Sequence, residues 1–288
     1  MKLGAAWFGF RDQTYSNYFE MVRSLGLEYV EVPLYWQIVQ ESTADGSIKF
    51  SKDVFAQRRT LAEQAGVKMV SAVAALDLAG AYNMRGETID ESEVQFARAA
   101  AYRTIDIADE LGLEVVRITE PNIPEKFVSG GKAYMEAYGE VLLPMAEYAQ
   151  EKNIVIAVEN YGLTSEQLNW LLNVGDHPNL GTLYDPCNYM RIKEDPLSAL
   201  KNVSDRVVYC HLKDTLIDES RNPNLLFPGS RWAPSVAVGE GDIEWEPILA
   251  HLATFYDGYM CIEYEIADDV MRGTRFSAEY VQAILNRI

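Results

Sequence analysis

The chain has 288 residues, of which 48% are hydrophobic and 24% charged, and its formal net charge is −18. This composition is typical of a globular protein, and the acidic balance argues against nucleic acid as the main partner because a phosphate backbone would be repelled. No apolar run is long enough to span a bilayer, and the first residues predict a strand without a basic segment leading into a signal-type apolar core. We therefore expect a cytoplasmic protein without a membrane partner.

Apolar runs separated by glycine and proline stops predict alternating strands and helices. The predicted strands cover residues 3–10, 29–34, 67–75, 114–119, 154–158, 180–184, 207–214 and 259–262. The predicted helices cover residues 14–25, 51–65, 91–111, 132–152, 165–173, 196–203, 244–253 and 276–288. Such alternation requires a parallel sheet, and eight units favour closure into a (β/α)8 TIM barrel of the α/β class. We expect residues 1–288 to form one barrel domain.

The longest irregular stretch covers residues 215–241 and directly follows the seventh predicted strand. A loop of that length in a compact domain is usually functional, so we expect it to act as a lid over the site. The glycine-rich motif Gly239-Glu240-Gly241-Asp242 lacks the strand-then-helix context of a phosphate-binding loop. We interpret the motif as a turn that leads into a helix.

Four predicted strands end in residues that can bind a metal, namely Glu159, Asp185, His211 and Glu263. The first three are 26 residues apart, and the last follows after a further 52 residues. The carboxyl ends of parallel strands meet at one edge of the barrel, so these side chains are expected to lie together. Three crowded carboxylates without a cation would repel each other and become partly protonated. A divalent metal is therefore the simpler explanation, and this ligand set suits Mn²⁺, Mg²⁺, Co²⁺ or Zn²⁺.

Side chains alternate between the two faces of a strand, which places one polar face at the end of the seventh strand. That face carries Val207, Tyr209, His211 and Lys213. The opposite face is uniformly apolar and suits packing under helices. The chemistry is thus expected on the first face.

Alternatives to this metal site remain open. A salt-bridge cluster with Arg117 or Lys213 needs no metal, although buried ion pairs are costly. Glu265 shares a strand face with Glu263 and could replace it as a ligand, but Glu263 is preferred because it directly follows the apolar run. Glu31 is either a second acid that supports the site or simply a partner of Arg117.

Motifs at these residues resemble the sugar phosphate isomerase/epimerase family of the xylose-isomerase-like TIM barrel superfamily. They are Val158-Glu159-Asn160, Tyr184-Asp185-Pro186-Cys187-Asn188, His211-Leu212-Lys213-Asp214, Gly239-Glu240-Gly241-Asp242-Ile243 and residues 258–263. The resemblance covers most of the chain. It implies one divalent metal, with Mn²⁺ preferred, held by Glu159, Asp185, His211 and Glu263.

The resemblance also implies a reaction. In related ketose epimerases two metal-bound glutamates act as acid and base, which implies Glu159 and Glu263 as catalytic residues. The expected activity is isomerisation or epimerisation of a keto or aldo sugar, or of a sugar derivative, by proton transfer through a metal-stabilised enediolate. The predicted substrate contacts are Asn188, Lys213 and Arg117.

Two other functions are compatible with the same residues, because barrels host many chemistries. A lyase, either a decarboxylase or a dehydratase, would act on an oxidised sugar or sugar acid, and a non-enzymatic sugar-binding protein would bind without turnover.

Many relatives have a histidine where this chain has Asn188, and the chain has only three histidines. That number counts against the trinuclear zinc site of apurinic-site endonucleases. The expected partner is a small carbohydrate, and a homo-oligomer is left open.

Overall fold

Eight parallel strands close into a barrel in the computed structural model, which describes residues 1–34, 52–74, 87–119, 131–218, 220 and 233–288. The strands of these residues are β1 Lys2–Ala5, β2 Tyr29–Pro33, β3 Lys68–Ala74, β4 Val115–Thr119, β5 Val155–Glu159, β6 Leu180–Tyr184, β7 Val207–Leu212, β8 Asp214–Thr215, β9 Ser235–Val236 and β10 Tyr259–Ile262. The order around the barrel is β1-β10-β7-β6-β5-β4-β3-β2, and β8 pairs with β9 outside it. The predicted (β/α)8 barrel is confirmed.

Helices connect the barrel strands. Those in the described ranges are α1 Tyr15–Ser24, α2 Lys52–Ala65, α3 Glu91–Leu111, α4 Gly131–Glu151, α5 Ser165–Val174, α6 Pro186–Arg191, α7 Pro196–Val203, α8 Trp245–Leu252 and α9 Val270–Leu285. None of them combines the length and the apolar character that crossing a bilayer requires. Local sequence explains their ends: α5 begins at a capping box of Thr164 and Gln167, and α3 ends at Gly112 in the left-handed region, φ 70°.

Two apolar cores hold the barrel together. The larger core lies between strands and helices, and the smaller one fills the barrel interior. The buried members of the interior core are Ala6, Val70, Val115, Ala157, Leu183, Tyr209, Tyr259 and Cys261. Because side chains alternate along a strand, the residues two positions beyond several of these members also face inward at the carboxyl end.

Some predicted element bounds are wrong. The first strand ends at Ala5 instead of residue 10, because the chain turns to reach α1: Phe8–Phe10 forms a 3-10 turn in which Phe10 N donates to Trp7 O at 2.7 Å. The closing helix begins at Val270 instead of residue 276, since its first residues are already buried on the barrel. The short helix α6 was not predicted.

The face predicted for the seventh strand is wrong at its first residue. Val207 packs against the outer core and Val208 against the interior core, whereas Tyr209 lies inside the barrel. The pairing of β6 with β7 shifts between Thr182 and Leu183, which inserts one extra residue on β7. The predicted alternation holds from Tyr209 onward.

The chain leaves β7 and returns beside it. Strands β8 and β9 pair antiparallel, with Asp214 opposite Val236 and Thr215 opposite Ser235. Of the predicted lid at 215–241, residues 219 and 221–232 lie outside the described residues. The lid therefore stays a prediction.

Candidate metal centre

Four titratable side chains converge at the carboxyl end of the barrel. They come from the neighbouring strands β5, β6, β7 and β10 and are Glu159, Asp185, His211 and Glu263. One ligand atom of each lies within 4.8 Å of the others, and all four residues are buried. Glu159 and His211 lie within their strands, whereas Asp185 and Glu263 directly follow theirs. The structure thus brings the residues of the predicted ligand set into one cluster.

The imidazole of His211 has one nitrogen paired and one unpaired. Nε2 lies 3.2 Å from Glu31 Oε2. Nδ1 is buried and makes no hydrogen bond with any described residue, although it lies 3.4 Å from Glu263 Oε2 and 3.8 Å from Glu159 Oε1. A buried nitrogen that faces two carboxylate oxygens without a hydrogen bond suits a cation held between them. The residues present therefore fit a divalent metal.

Asp185 both caps a helix and faces the cluster. Its Oδ1 accepts hydrogen bonds from the backbone nitrogens of Cys187, at 2.9 Å, and Asn188, at 3.3 Å, at the start of α6. Asn160 fixes the backbone of Asp185, because its Nδ2 donates to Asp185 O at 2.9 Å and its Oδ1 accepts from Asp185 N at 2.7 Å. These contacts hold the carboxylate in place, and Oδ2 takes no part in the cap but accepts from Asn188 Nδ2 at 3.0 Å.

Burial and crowding shift the pKa values of the cluster. Burial raises the pKa of Asp185 to about 7. The nearby ammonium of Lys213 opposes this rise, whereas the neighbouring carboxylates of Glu263 and Glu159 add to it. Burial alone would raise the pKa of Glu263, but Lys213 and His211 hold it well below its usual value. Burial alone would lower the pKa of His211, yet Glu263 and Glu31 raise it to about 10. A bound cation would replace the protons on Asp185 and His211.

Two cationic side chains flank the cluster. Arg117 Nη1 pairs with Glu159 Oε2. Lys213 Nζ lies 2.9 Å from Glu263 Oε2 and also pairs with Glu265 Oε1. The cluster of ligand atoms that lie within 4.8 Å of one another includes Glu263 but not Glu265, so the geometry favours Glu263 as the fourth ligand. The substrate-binding roles of Arg117 and Lys213 stay predictions.

Asn188 and Arg191 form a polar edge on α6. Asn188 Nδ2 lies 3.0 Å from Asp185 Oδ2 and 3.4 Å from Glu159 Oε1. Arg191 Nη1 donates to Asn188 Oδ1 at 3.1 Å, and Arg191 Nη2 donates to Ala233 O at 3.3 Å. Sequence reasoning missed Arg191 because it missed α6. In a helix, the spacing of three residues places Arg191 beside Asn188. The contact of Asn188 with substrate stays a prediction.

Asp214 anchors the glycine-rich turn. Its Oδ2 accepts from Gly239 N at 2.9 Å and from Trp245 Nε1 at 2.8 Å. A Cβ at Gly241 would lie 2.0 Å from Asp214 Oδ1, and Gly239 has a φ of 95°, so neither position accepts a side chain readily. The interpretation of residues 239–242 as a turn leading into a helix is confirmed, and the glycines of the turn make room for the buried carboxylate.

Comparisons with known proteins agree with the barrel fold. A family model described as a xylose isomerase-like TIM barrel matches residues 19–284. Among curated proteins, the inosose dehydratase of Clostridium perfringens is 26% identical over 180 residues, which are 56% of this chain and 60% of that protein. The chain therefore spans less than two thirds of that relative.

Solved structures show the same fold at low sequence identity. A D-tagatose 3-epimerase-like protein superposes with a TM-score of 0.74 at 18% identity, covering 100% of this chain and 99% of the other. A xylose isomerase-like TIM barrel protein from Mycobacterium smegmatis in complex with magnesium superposes with a TM-score of 0.71 at 18% identity, covering 99% and 96%. With a closed barrel, a cluster of metal-type ligands at its carboxyl end and a family match over nearly the whole sequence, this chain belongs to the xylose isomerase-like TIM barrel family.

Proposed function

We propose that this protein is a divalent-metal-dependent enzyme that isomerises or epimerises a keto or aldo sugar or a sugar derivative. The observation that carries the proposal is the buried Nδ1 of His211, which makes no hydrogen bond with a described residue and faces Glu159 and Glu263. The similarity to an epimerase-like protein and to a barrel in complex with magnesium supports it.

The proposed metal ligands are Glu159, Asp185, His211 and Glu263. When bound, a divalent cation supplies Lewis acidity, which makes a C–H bond beside a carbonyl more acidic. Carboxylate oxygens with one imidazole nitrogen suit Mn²⁺, which we prefer, and also Mg²⁺, Co²⁺ and Zn²⁺. The protein's own part is to hold the substrate and to move a proton.

Glu159 and Glu263 are the proposed proton carriers. Each carboxylate has a cation beside it, Arg117 for Glu159 and Lys213 for Glu263. The low pKa of Glu263 keeps it ionised at neutral pH, as both a ligand and a base must be. One glutamate would take the proton from carbon. Delivery of a different proton to the opposite face by the other glutamate, acting as a carboxylic acid, gives an epimer. Return of the first proton to the adjacent carbon, with the hydroxyl proton moving to the former carbonyl oxygen, gives an isomer.

Lys213, Asn188 and Arg117 are the proposed contacts to substrate oxygens. Burial alone would lower the pKa of Lys213, but Glu263 and Glu265 raise it well above its usual value. Lys213 is therefore an ammonium, which donates hydrogen bonds and cannot ligate a metal. Because its charge lies beside Glu263, it also opposes the binding of a second positive charge at the cluster.

The variant Lys213→Ala should keep its metal and lose catalytic efficiency. Removing a cation near the cluster should leave metal affinity equal or higher, whereas losing a charged hydrogen bond to substrate should lower kcat/KM about 10–100-fold. Titration of metal binding and steady-state kinetics measure the two effects separately. The exposed Lys201 on α7 offers a matched control, Lys201→Ala. Metal loss in Lys213→Ala comparable to that of a ligand variant would contradict the assignment.

Turnover in D₂O tests the proposed reaction. A carboxylic acid exchanges its proton with solvent, so the product should carry deuterium on the carbon next to the carbonyl. Keto and aldo sugars should be screened with each of the four cations, and Glu159→Gln should remove turnover, with its metal content checked alongside. Unlabelled product of unchanged mass would point to a hydride shift and would remove Glu159 and Glu263 from proton transfer.

The second candidate is a metal-dependent lyase. Its supporting observation is the 26% identity to an inosose dehydratase over 56% of this chain. A dehydratase begins with the same proton removal and then expels a hydroxyl group, so its product is lighter by one water, whereas a decarboxylase product is lighter by carbon dioxide. Mass spectrometry of the same D₂O reactions distinguishes these outcomes from isomerisation. Sugar binding without turnover of any tested substrate would favour a non-enzymatic binding protein.

A further inference from the structure

A fifth carboxylate, Glu31, lies beside the metal-ligand cluster. It is 1% exposed, at the middle of β2. Its Oε2 lies 3.2 Å from His211 Nε2, 3.5 Å from Arg117 Nε and 3.4 Å from Ser71 Oγ. The backbone directs it there, because the pairing of β2 with β3 shifts between Val30 and Glu31 and places Glu31 opposite Ser71. This carboxylate is therefore built into the barrel interior.

The contacts of Glu31 with Arg117 and with His211 differ in kind. Arg117 Nε makes no hydrogen bond with a described residue, and the Nη1 of the same guanidinium pairs with Glu159. Arg117 thus contributes charge to Glu31 without a directed bond. Among the described residues, the shortest polar contact of the Glu31 carboxylate is the one to His211 Nε2. Pairing with Arg117 alone therefore does not account for the position of the Glu31 carboxylate.

We propose that Glu31 is a positioning residue that fixes the ring orientation and tautomer of His211. The inference rests on the proposed metal site. An ionised carboxylate only accepts hydrogen bonds, so Nε2 must carry the proton and Nδ1 must present its lone pair to the cation. A ring rotated by half a turn would lose the bond to Glu31 and would offer a carbon atom where the ligand nitrogen belongs. The partner of a ligating histidine thereby sets metal affinity.

Two single variants separate the hydrogen bond from the charge. Glu31→Gln keeps an oxygen at the same reach but loses the charge, whereas Glu31→Asp keeps the charge beside Arg117 but withdraws it from His211. Positioning predicts that Glu31→Asp binds Mn²⁺ and Zn²⁺ about 10–100-fold more weakly than the unaltered protein, and that Glu31→Gln is affected less. Ser71→Ala is the matched control, because Ser71 is buried and contacts the same oxygen without reaching the ligands.

A second measurement reads the tautomer directly. The chain has three histidines, so ¹⁵N-histidine labelling gives a spectrum that can be assigned with single variants of His177 and His251. In the zinc-loaded protein, the Nε2 proton of His211 should be visible and slow to exchange with solvent. The same signal should exchange rapidly in Glu31→Asp and persist in Ser71→Ala.

The outcomes that overturn the inference are distinct from those that overturn the function. Folded Glu31→Asp with unaltered metal affinity and a protected Nε2 proton would overturn the positioning role alone. Weaker binding in Glu31→Gln than in Glu31→Asp would assign the effect to charge and would also overturn it. An unaltered protein that binds none of the four cations would overturn the proposed function and the inference together.

Discussion

Replacing His211 by alanine should abolish metal binding and turnover together. Alanine offers no ligand atom, and the cavity that it leaves lies among the carboxylates of Glu159 and Glu263. Elemental analysis after gel filtration measures the metal retained. Thermal unfolding gives a second reading, because a metal at 100 times its Kd should stabilise the unaltered protein by about 2.7 kcal/mol, whereas the variant should gain nothing.

His251→Ala is the control for this experiment. His251 is half-buried on α8, where Nε2 lies 3.2 Å from Ser204 Oγ, and it takes no part in the cluster. The control should bind metal as the unaltered protein does. Full metal occupancy in His211→Ala would exclude His211 as an essential ligand and would remove the main support for the proposed function.

Metal affinity should fall about 1000-fold when the pH is lowered from 8 to 6, because protons compete for the ligands. In the metal-free protein, His211 has a pKa of about 10 and holds a proton throughout this range. Asp185 has a pKa of about 7 and gains a proton across it. The metal therefore displaces about one proton at the upper pH and about two at the lower pH, and each displaced proton costs about tenfold in affinity per pH unit.

Calorimetric titration in buffers of different ionisation enthalpy counts the released protons. The expected number rises from about one above pH 8 to about two below pH 6. An affinity that does not change across this range would show that neither Asp185 nor His211 is protonated before binding. Release of one proton throughout would assign the displaced proton to His211 alone.

The positions of the strand-end residues were predictable because every parallel barrel places the carboxyl ends of its strands at one edge. Parallel strands present their carboxyl ends together, so four apolar runs that end in Glu159, Asp185, His211 and Glu263 were enough to predict one cluster. Alternation predicted the inward face of β7 from Tyr209 onward. Both rules need only the order of residues along the chain.

The residues that were missed or left undecided depend on contacts between distant segments. Arg191 lies on the short helix α6, which begins at Pro186 and is capped by Asp185. A helix of six residues is too short to show a clear apolar periodicity in the sequence. The sequence supports two interpretations of Glu31, because its distance to His211 depends on the closure of the barrel and on the pairing shift in β2. The outward turn of Val207 has the same kind of cause, an extra residue opposite β6.

The two ends of the loop that follows Thr215 are anchored to each other by Asp214 and Thr215, and this has a consequence for protein engineering. Asp214 binds the glycine-rich turn, and on the strand side Thr215 Oγ1 donates to Pro234 O at 2.8 Å and Thr215 O accepts from Asp242 N at 2.9 Å. The two junctions are thus held side by side by contacts among Asp214, Thr215, Pro234 and Asp242. We expect that segments of other lengths and sequences can be grafted between Asp218 and Ala233, because this leaves the hydrogen bonds to the carbonyl oxygens of Ala233 and Pro234 in place. Under the predicted lid role of residues 215–241, we expect substrate preference to vary in such a library while the barrel and its metal cluster are left unchanged.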